Sequence, residues 1–240
     1  MTTIAPDLET ATAEEVLAYA IERFHPRLTM ACSFQKEESV LLHMLTSIEP
    51  SAHVFMIDTG VLFPETLQTW KRFEDRFGVA IDVLDASSPG EPWTATRCCS
   101  EAKVDALEQA LTGVDAWITG IRREQAPTRA GAAKLEHDAR RDIWKFNPLA
   151  DWDEKDLWRY IHQHDLPYHP LHDQGYASIG CAPCTQPGEG REGRWAGQDK
   201  MECGIHVVAV EADDVGQPGD PPRTATSAAP VTPSGSQPIR

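Results

Sequence analysis

The 240-residue sequence has no apolar run long enough to span a bilayer, and its start lacks a basic patch followed by an apolar core. Neither a membrane partner nor a secretory leader is expected, and the chain is read as cytoplasmic. Basic residues are also scarce: 22 Lys and Arg against 37 Asp and Glu leave a formal net charge of −15. Such a surface is repelled by a phosphate backbone, which argues against a nucleic-acid partner. A small anionic ligand stays open, because screening over about 8 Å lets a local arginine cluster outweigh distant acids. No solenoid-type repeat is visible. From residue 211 onward large apolar side chains almost vanish from a stretch rich in Pro, Gly, Ser, Thr and Ala. Residues 211–240 are therefore expected to form a disordered tail. Residues 1–210 are expected to make one domain with a mobile C-terminal catalytic segment.

Within that domain, apolar strands alternate with amphipathic helices. Thr12 and Glu15 form a capping box for a helix over 12–24, which Pro26 ends. A buried strand is expected at 28–33, a polar turn at 35–38 and a helix at 39–48. A strand over 53–57 precedes a helix opened by Pro64 and closed by Gly78. Further strands at 79–84 and 116–119 flank a helix over 100–111. This alternation predicts an α/β fold with a doubly wound, mostly parallel sheet. Ligands then bind beyond the carboxyl ends of the strands, after Ser33, Asp58 and Gly120.

Six cysteines without a leader point to metal or redox chemistry before structural disulfides. Cys98-Cys99 and Cys181-Ala-Pro-Cys184 supply four thiols in two close pairs, the set a tetrathiolate site requires. An iron–sulfur cluster fits adjacent cysteines better than a zinc knuckle does, although zinc and a redox dithiol remain readings of the same residues. Lys103 lies four residues after Cys99 and shares a face with it if the helix already runs there; a solvated lysine is equally compatible with that spacing. Cys32 lies in an apolar strand and is assigned to the core. Cys203, in Glu-Cys-Gly-Ile-His, is left over as a nucleophile candidate near Arg191, Arg194, Lys200 and His206; a buried hydrophobe is the bland alternative.

Two segments suit anions. Ser33 to Ser39 joins strand to helix, where backbone amides hold phosphate or sulfate, yet it has no glycine and its glutamates would repel an anion if they pointed inward. Gly120 leads into Arg122, Arg123 and Arg129, placing three guanidiniums near a switch-point crevice.

Taken together, these residues resemble the assimilatory adenylyl-sulfate and phosphoadenylyl-sulfate reductase family. The similarity runs over residues 28–206 and rests on the paired cysteines, Ile57-Asp58-Thr59-Gly60, Phe63-Pro64-Glu65-Thr66, Gly120-Ile121-Arg122-Arg123 and the Cys203 segment. It implies an adenine-nucleotide α-hydrolase-like fold related to the ATP pyrophosphatases. It further implies one [4Fe–4S] cluster on Cys98, Cys99, Cys181 and Cys184, with Lys103 beside it. Cys203 would attack the sulfur of adenylyl sulfate, and Ser33, Gly120, Arg129, Arg191, Arg194 and His206 would bind the substrate. Thioredoxin or glutaredoxin would then release sulfite, in sulfate assimilation toward cysteine. The four cysteines favour adenylyl sulfate over its 3′-phosphorylated form, and a homo-oligomer is compatible with the sequence. Rival readings are an ATP-pyrophosphatase-type adenylating or thiolating enzyme, against which Gln35 replaces a loop glycine, and a zinc-stabilised regulatory domain, which leaves Cys203 and the arginines without a task.

Overall fold

A computed structural model describes residues 8–87, 101–195 and 202. It contains the helices α1 (Ala13–Phe24), α2 (Lys36–Ile48), α3 (Pro64–Phe77), α4 (Glu101–Ala110) and α5 (Glu154–Gln163). The strands are β1 (Leu28–Ala31), β2 (His53–Asp58), β3 (Ile81–Asp85), β4 (Ala116–Ile118), β5 (Leu135–Asp138) and β6 (Ile143–Phe146). They form one sheet in the order β3-β2-β1-β4-β6-β5. All neighbours run parallel except β5, which pairs with β6 antiparallel at the edge. The expected mostly parallel α/β sheet is therefore present.

Period-two alternation divides the strand side chains between two cores. Leu28, Met30, Val54, Met56, Ala116 and Ile118 pack on one face with α1, α2 and α5. Phe55 and Trp117 turn to the other face, against Leu107 of α4 and Leu111 just beyond it. Cys32 joins the first core, as expected, and burial pushes its thiol well above its ordinary value. The predicted capping box is also formed: the Glu15 amide donates to Thr12 Oγ1 at 3.2 Å and the Thr12 amide to Glu15 Oε2 at 2.7 Å. Gly78 closes α3 with φ +67°, a left-handed conformation that glycine adopts at little cost.

Two expectations are corrected. The segment read as a polar turn at 35–38 is the first turn of α2, which begins at Lys36. Its charged residues Lys36, Glu37 and Glu38 are all buried. They can be, because tertiary partners replace water: Lys36 Nζ donates to Ala177 O at 2.8 Å and pairs with Glu154 at 3.2 Å. Glu37 Oε1 receives Arg122 Nε at 3.0 Å and Gln125 Nε2 at 3.0 Å. Burial pushes the Glu37 carboxyl up, but Lys36 and Arg122 outweigh it and bring the group down to about 2.

Arg122 and Arg123 consequently do not face the crevice as expected. Arg122 is consumed by Glu37, Glu124 and Glu154, and Arg123 by Glu9 and Ala132 O. Among the described residues no helix is long and apolar enough to cross a membrane. The expected tail at 211–240 lies outside the described residues.

Glu37 titrates below its ordinary value of 4.5, so the pair's stabilisation is present above that value and is lost as pH falls through about 2. At neutral pH, Arg122→Met leaves the buried carboxylate without its guanidinium. We expect a loss of about 3–5 kcal/mol in unfolding free energy, read from urea denaturation. A loss below about 1 kcal/mol would show that the pair is dispensable.

Candidate functional site

The chain reverses direction across the sheet between β1 and β4: it steps outward from β1 through β2 to β3, then returns to lay β4 on the other side of β1. Loops leaving these two strands diverge and open a crevice at their carboxyl ends. A pocket lies there, lined by Ser33 and Gln35 after β1, Gly120 and Ile121 after β4, and Glu37 and Glu38 of α2. Lys103 of α4, Cys181, Arg129, Arg191 and Arg194 complete the wall. Every predicted substrate-binding residue that the structure describes thus converges on one pocket. His206 and Cys203 lie outside the described residues, as do Cys98 and Cys99.

The β1–α2 loop is shaped by Phe34, which adopts φ +62° and is buried between Trp70 and Phe73. A non-glycine residue in this region is strained, and the aromatic packing holds it there. The turn presents Ser33 to the pocket. Gln35, at the position where a glycine-rich loop would carry glycine, does different work. Its Nε2 donates to Ser33 Oγ at 3.2 Å, and its Oε1 accepts the Ile179 amide at 2.7 Å. The side chain thereby ties the cysteine-bearing segment to the loop after β1. Sequence reasoning noted the missing glycine but not this tether.

The glutamates do point inward, the orientation that was expected to repel an anion. Glu37 is neutralised by its cations. Glu38, 6% exposed, is pushed up to about 8 by burial and by the neighbouring Glu37 charge, against the hydrogen bonds from Ser33 and Gln35. Near neutral pH this wall of the pocket is therefore largely uncharged.

The cationic side is built by three arginines. Arg129 ends a short 3-10 helix, Pro127–Arg129, and grips Glu202 as a fork, Nε to Oε1 and Nη2 to Oε2, both at 2.8 Å. Arg191 Nη2 adds a 3.1 Å bond and Thr128 Oγ1 one of 2.8 Å to the same carboxylate. Against its burial, Arg129 and Arg191 hold the Glu202 carboxyl below the usual range. Glu202, which directly precedes Cys203, was not singled out as a ligand of these arginines. Arg194 lies over the Trp195 ring at 4.5 Å and donates through Nη1 to Ile179 O at 3.1 Å. Its buried Nε has no hydrogen-bond partner among the described residues.

Cys181 and Cys184 flank a single 3-10 turn, Ala182–Cys184, and each is 5% exposed. The turn is fixed by Ala182 N to Val61 O at 2.9 Å and Trp195 N to Cys184 O at 2.9 Å. Thr59 Oγ1 lies 3.2 Å from Cys181 Sγ. Two buried thiols three residues apart, next to a hydroxyl and on the pocket that also holds Lys103, fit half of a soft-metal site. Among the described residues no group of three or more candidate ligands occurs, and Cys98 and Cys99 lie outside those residues.

Comparison with known proteins adds one family match, two sequence relatives and two structural ones. Residues 27–187 match the phosphoadenosine phosphosulfate reductase domain model. The chain is 40% identical over 218 residues to an adenosine 5′-phosphosulfate reductase of Geobacillus kaustophilus, covering 84% of this chain and 93% of that one. It is 41% identical over 222 residues to a phosphoadenosine 5′-phosphosulfate reductase of Gloeobacter violaceus, covering 85% and 92%. Among solved structures, phosphoadenylyl-sulfate reductase from Candida auris, in a phosphate complex, superposes with a TM-score of 0.64 at 25% identity, covering 74% and 91%. Candida glabrata FMN adenylyltransferase, at 0.59 and 17% over 74% and 62%, shares the fold alone.

Arg194 also explains a glycine. A Cβ on Gly180 would overlap the Arg194 guanidinium, whose Nη1 is already committed to Ile179 O. Gly180→Ala should therefore displace Arg194 while leaving the fold intact, weakening inorganic pyrophosphate binding in calorimetry by about tenfold, the worth of one charged hydrogen bond. Unchanged affinity would show that Arg194 does not serve the anion.

Proposed function

The chain belongs to the phosphoadenosine phosphosulfate reductase domain family, and on that premise we propose that it reduces adenylyl sulfate to sulfite and AMP in assimilatory sulfate reduction. The observation that carries the reading is the convergence of Ser33, Gly120, Arg129, Arg191 and Arg194 on one pocket at the switch point, with Cys181 and Lys103 on the same wall. That arrangement suits a short ligand with two adjoining anionic groups and a nucleoside.

In the proposed reaction the Cys203 thiolate attacks the sulfur of the sulfuryl group. The bond from that sulfur to the bridging oxygen breaks, and AMP leaves with the electron pair. Arg129, Arg191 and Arg194 would stabilise the sulfuryl oxygens and the charge gathering on AMP, and His206 would join them. The enzyme is left with a cysteine S-sulfonate. A dithiol of the thioredoxin or glutaredoxin class then attacks Cys203 Sγ, and sulfite departs with the electron pair. The second thiol closes the reductant's disulfide and returns Cys203 as a thiol, so two electrons come from the dithiol.

Cys98, Cys99, Cys181 and Cys184 would hold one [4Fe–4S] cluster, with Lys103 close to it. Bound, the cluster would supply charge and anchor two distant chain segments. The paired cysteines favour adenylyl sulfate, while the name of the Gloeobacter violaceus relative keeps the 3′-phosphorylated nucleotide as the second reading. A cytoplasmic setting follows from the need for reduced thiols.

Oxygen-protected protein incubated with either nucleotide should carry a sulfonate on Cys203 by intact and peptide mass spectrometry, and thioredoxin should discharge it as sulfite. An adduct on another side chain would remove the proposed nucleophile. Cys203→Ser should release no sulfite yet still bind AMP. Separately, the protein should be brown, with broad absorbance near about 400 nm; a colourless, zinc-loaded anaerobic preparation would overturn the cluster assignment.

A further inference from the structure

Glu38 is not among the residues assigned to substrate, yet its carboxyl forms part of the pocket wall between Ser33 and Gly120. Its two oxygens are used unequally. Oε2 accepts both Ser33 Oγ at 3.1 Å and the Gln35 amide at 3.0 Å. Oε1 makes no hydrogen bond to any described residue and lies against Gly120, 2.7 Å from where a Cβ would stand. In a neutral acid the doubly accepting oxygen is the carbonyl one, so the place left for a proton is Oε1.

The charges facing Glu38 agree with a neutral acid. On its own helix, Glu37 repels a second negative charge, and Lys36 is engaged by Ala177 O and Glu154. From β1, Cys32 brings no positive charge. From the β4 loop, Arg122 is committed to Glu37, Glu124 and Glu154. Across the pocket, Arg129 and Arg191 hold Glu202, Arg194 bonds Ile179 O, and Lys103 lies on the α4 wall. No cation forms an ion pair with Glu38 among the described residues. Burial and the Glu37 charge place its titration at about 8.

Resting on the reading of this pocket as an adenine-nucleotide phosphosulfate site, we propose that Glu38 is a further substrate-contacting residue, a proton-bearing acid whose Oε1 donates a hydrogen bond to the nucleotide's phosphate. A hydroxyl donor against an anionic oxygen makes a short, charge-assisted bond. An ionised carboxylate in the same place would repel that oxygen. The acid keeps its proton throughout the contact.

AMP, the product, serves as the probe because it binds without turnover. In calorimetry on the full chain, wild-type affinity should fall about tenfold between pH 7 and 9, as a group titrating near 8 loses its proton. Glu38→Gln keeps a donor that does not titrate, so its affinity should match wild type near pH 7 and stay flat to pH 9. A flat wild-type profile, or an equal slope in Glu38→Gln, would overturn the assignment. Carboxyl-carbon NMR of 13C-glutamate-labelled wild type adds a readout that needs no variant: one resonance should titrate near pH 8, and its absence would overturn the assignment too. Sulfite release with pH-independent AMP affinity would sink this inference alone, whereas failure to bind any adenine nucleotide would sink the substrate reading with it.

Discussion

Two neighbouring carboxylates buried at the start of one helix cannot both be ionised cheaply, and the site is organised around how that conflict is resolved. Glu37 takes the charge because Lys36 beside it and Arg122, reaching in from the loop after β4, both favour the carboxylate, with a hydrogen bond from Gln125 added. Glu38 holds its proton up to about pH 8 because burial and the charge beside it both disfavour its carboxylate. The resolution is also a mechanical link. Arg122 fastens the end of β4 to α2, and Glu38 fastens Ser33 and Gln35 after β1 to the same helix turn. The two loops that diverge at the switch point are thus each bound to one turn of α2, and their separation defines the pocket.

The same bookkeeping reconciles an acidic protein with an anionic ligand. A net charge of −15 is spread over the molecule, but what an entering anion meets is local. On one wall the acids are paired or protonated. On the other, Arg129, Arg191 and Arg194 are held by packing and by specific acceptors. Arg194 is aligned by the Trp195 ring and the Ile179 carbonyl, with Gly180 giving it room. A guanidinium restrained in this way loses little further rotational freedom when it grips a ligand.

Periodic features were legible in the sequence for direct physical reasons. The Thr12 to Glu15 cap, Pro64 at the head of α3, Gly78 at its end and the buried face of α1 follow from nearest-neighbour chemistry, and each is present. So was the pocket's location, since a doubly wound sheet allows few places for one. Less legible were features that depend on partners far away in the chain. The first turn of α2 reads as polar because its partners Arg122, Gln125 and Glu154 are about a hundred residues distant, and nothing in residues 35–38 announces them. Arg122 and Arg123 look like anion ligands from composition for the same reason; their acceptors are invisible until the chain folds. The β5–β6 pair and α5 went unassigned, although Asp153 caps α5 through the Asp156 amide at 2.8 Å, a signal that local reading could have found.

Glu202 shows how tightly this site couples its parts. Its carboxylate occupies both Nε and Nη2 of Arg129 and one arm of Arg191. A guanidinium edge can grip one carboxylate or phosphate in two-point fashion, not two at once. An anion that takes the Arg129 fork must therefore exchange with Glu202, so the net gain on binding is the difference between two charge-assisted contacts and not the full worth of either. Because Glu202 directly precedes Cys203, the carboxylate that exchanges and the proposed nucleophile belong to one short segment, Glu202-Cys203-Gly204-Ile205-His206. Ligand binding and the seating of Glu202 are thereby linked through Arg129 and Arg191, which serve both.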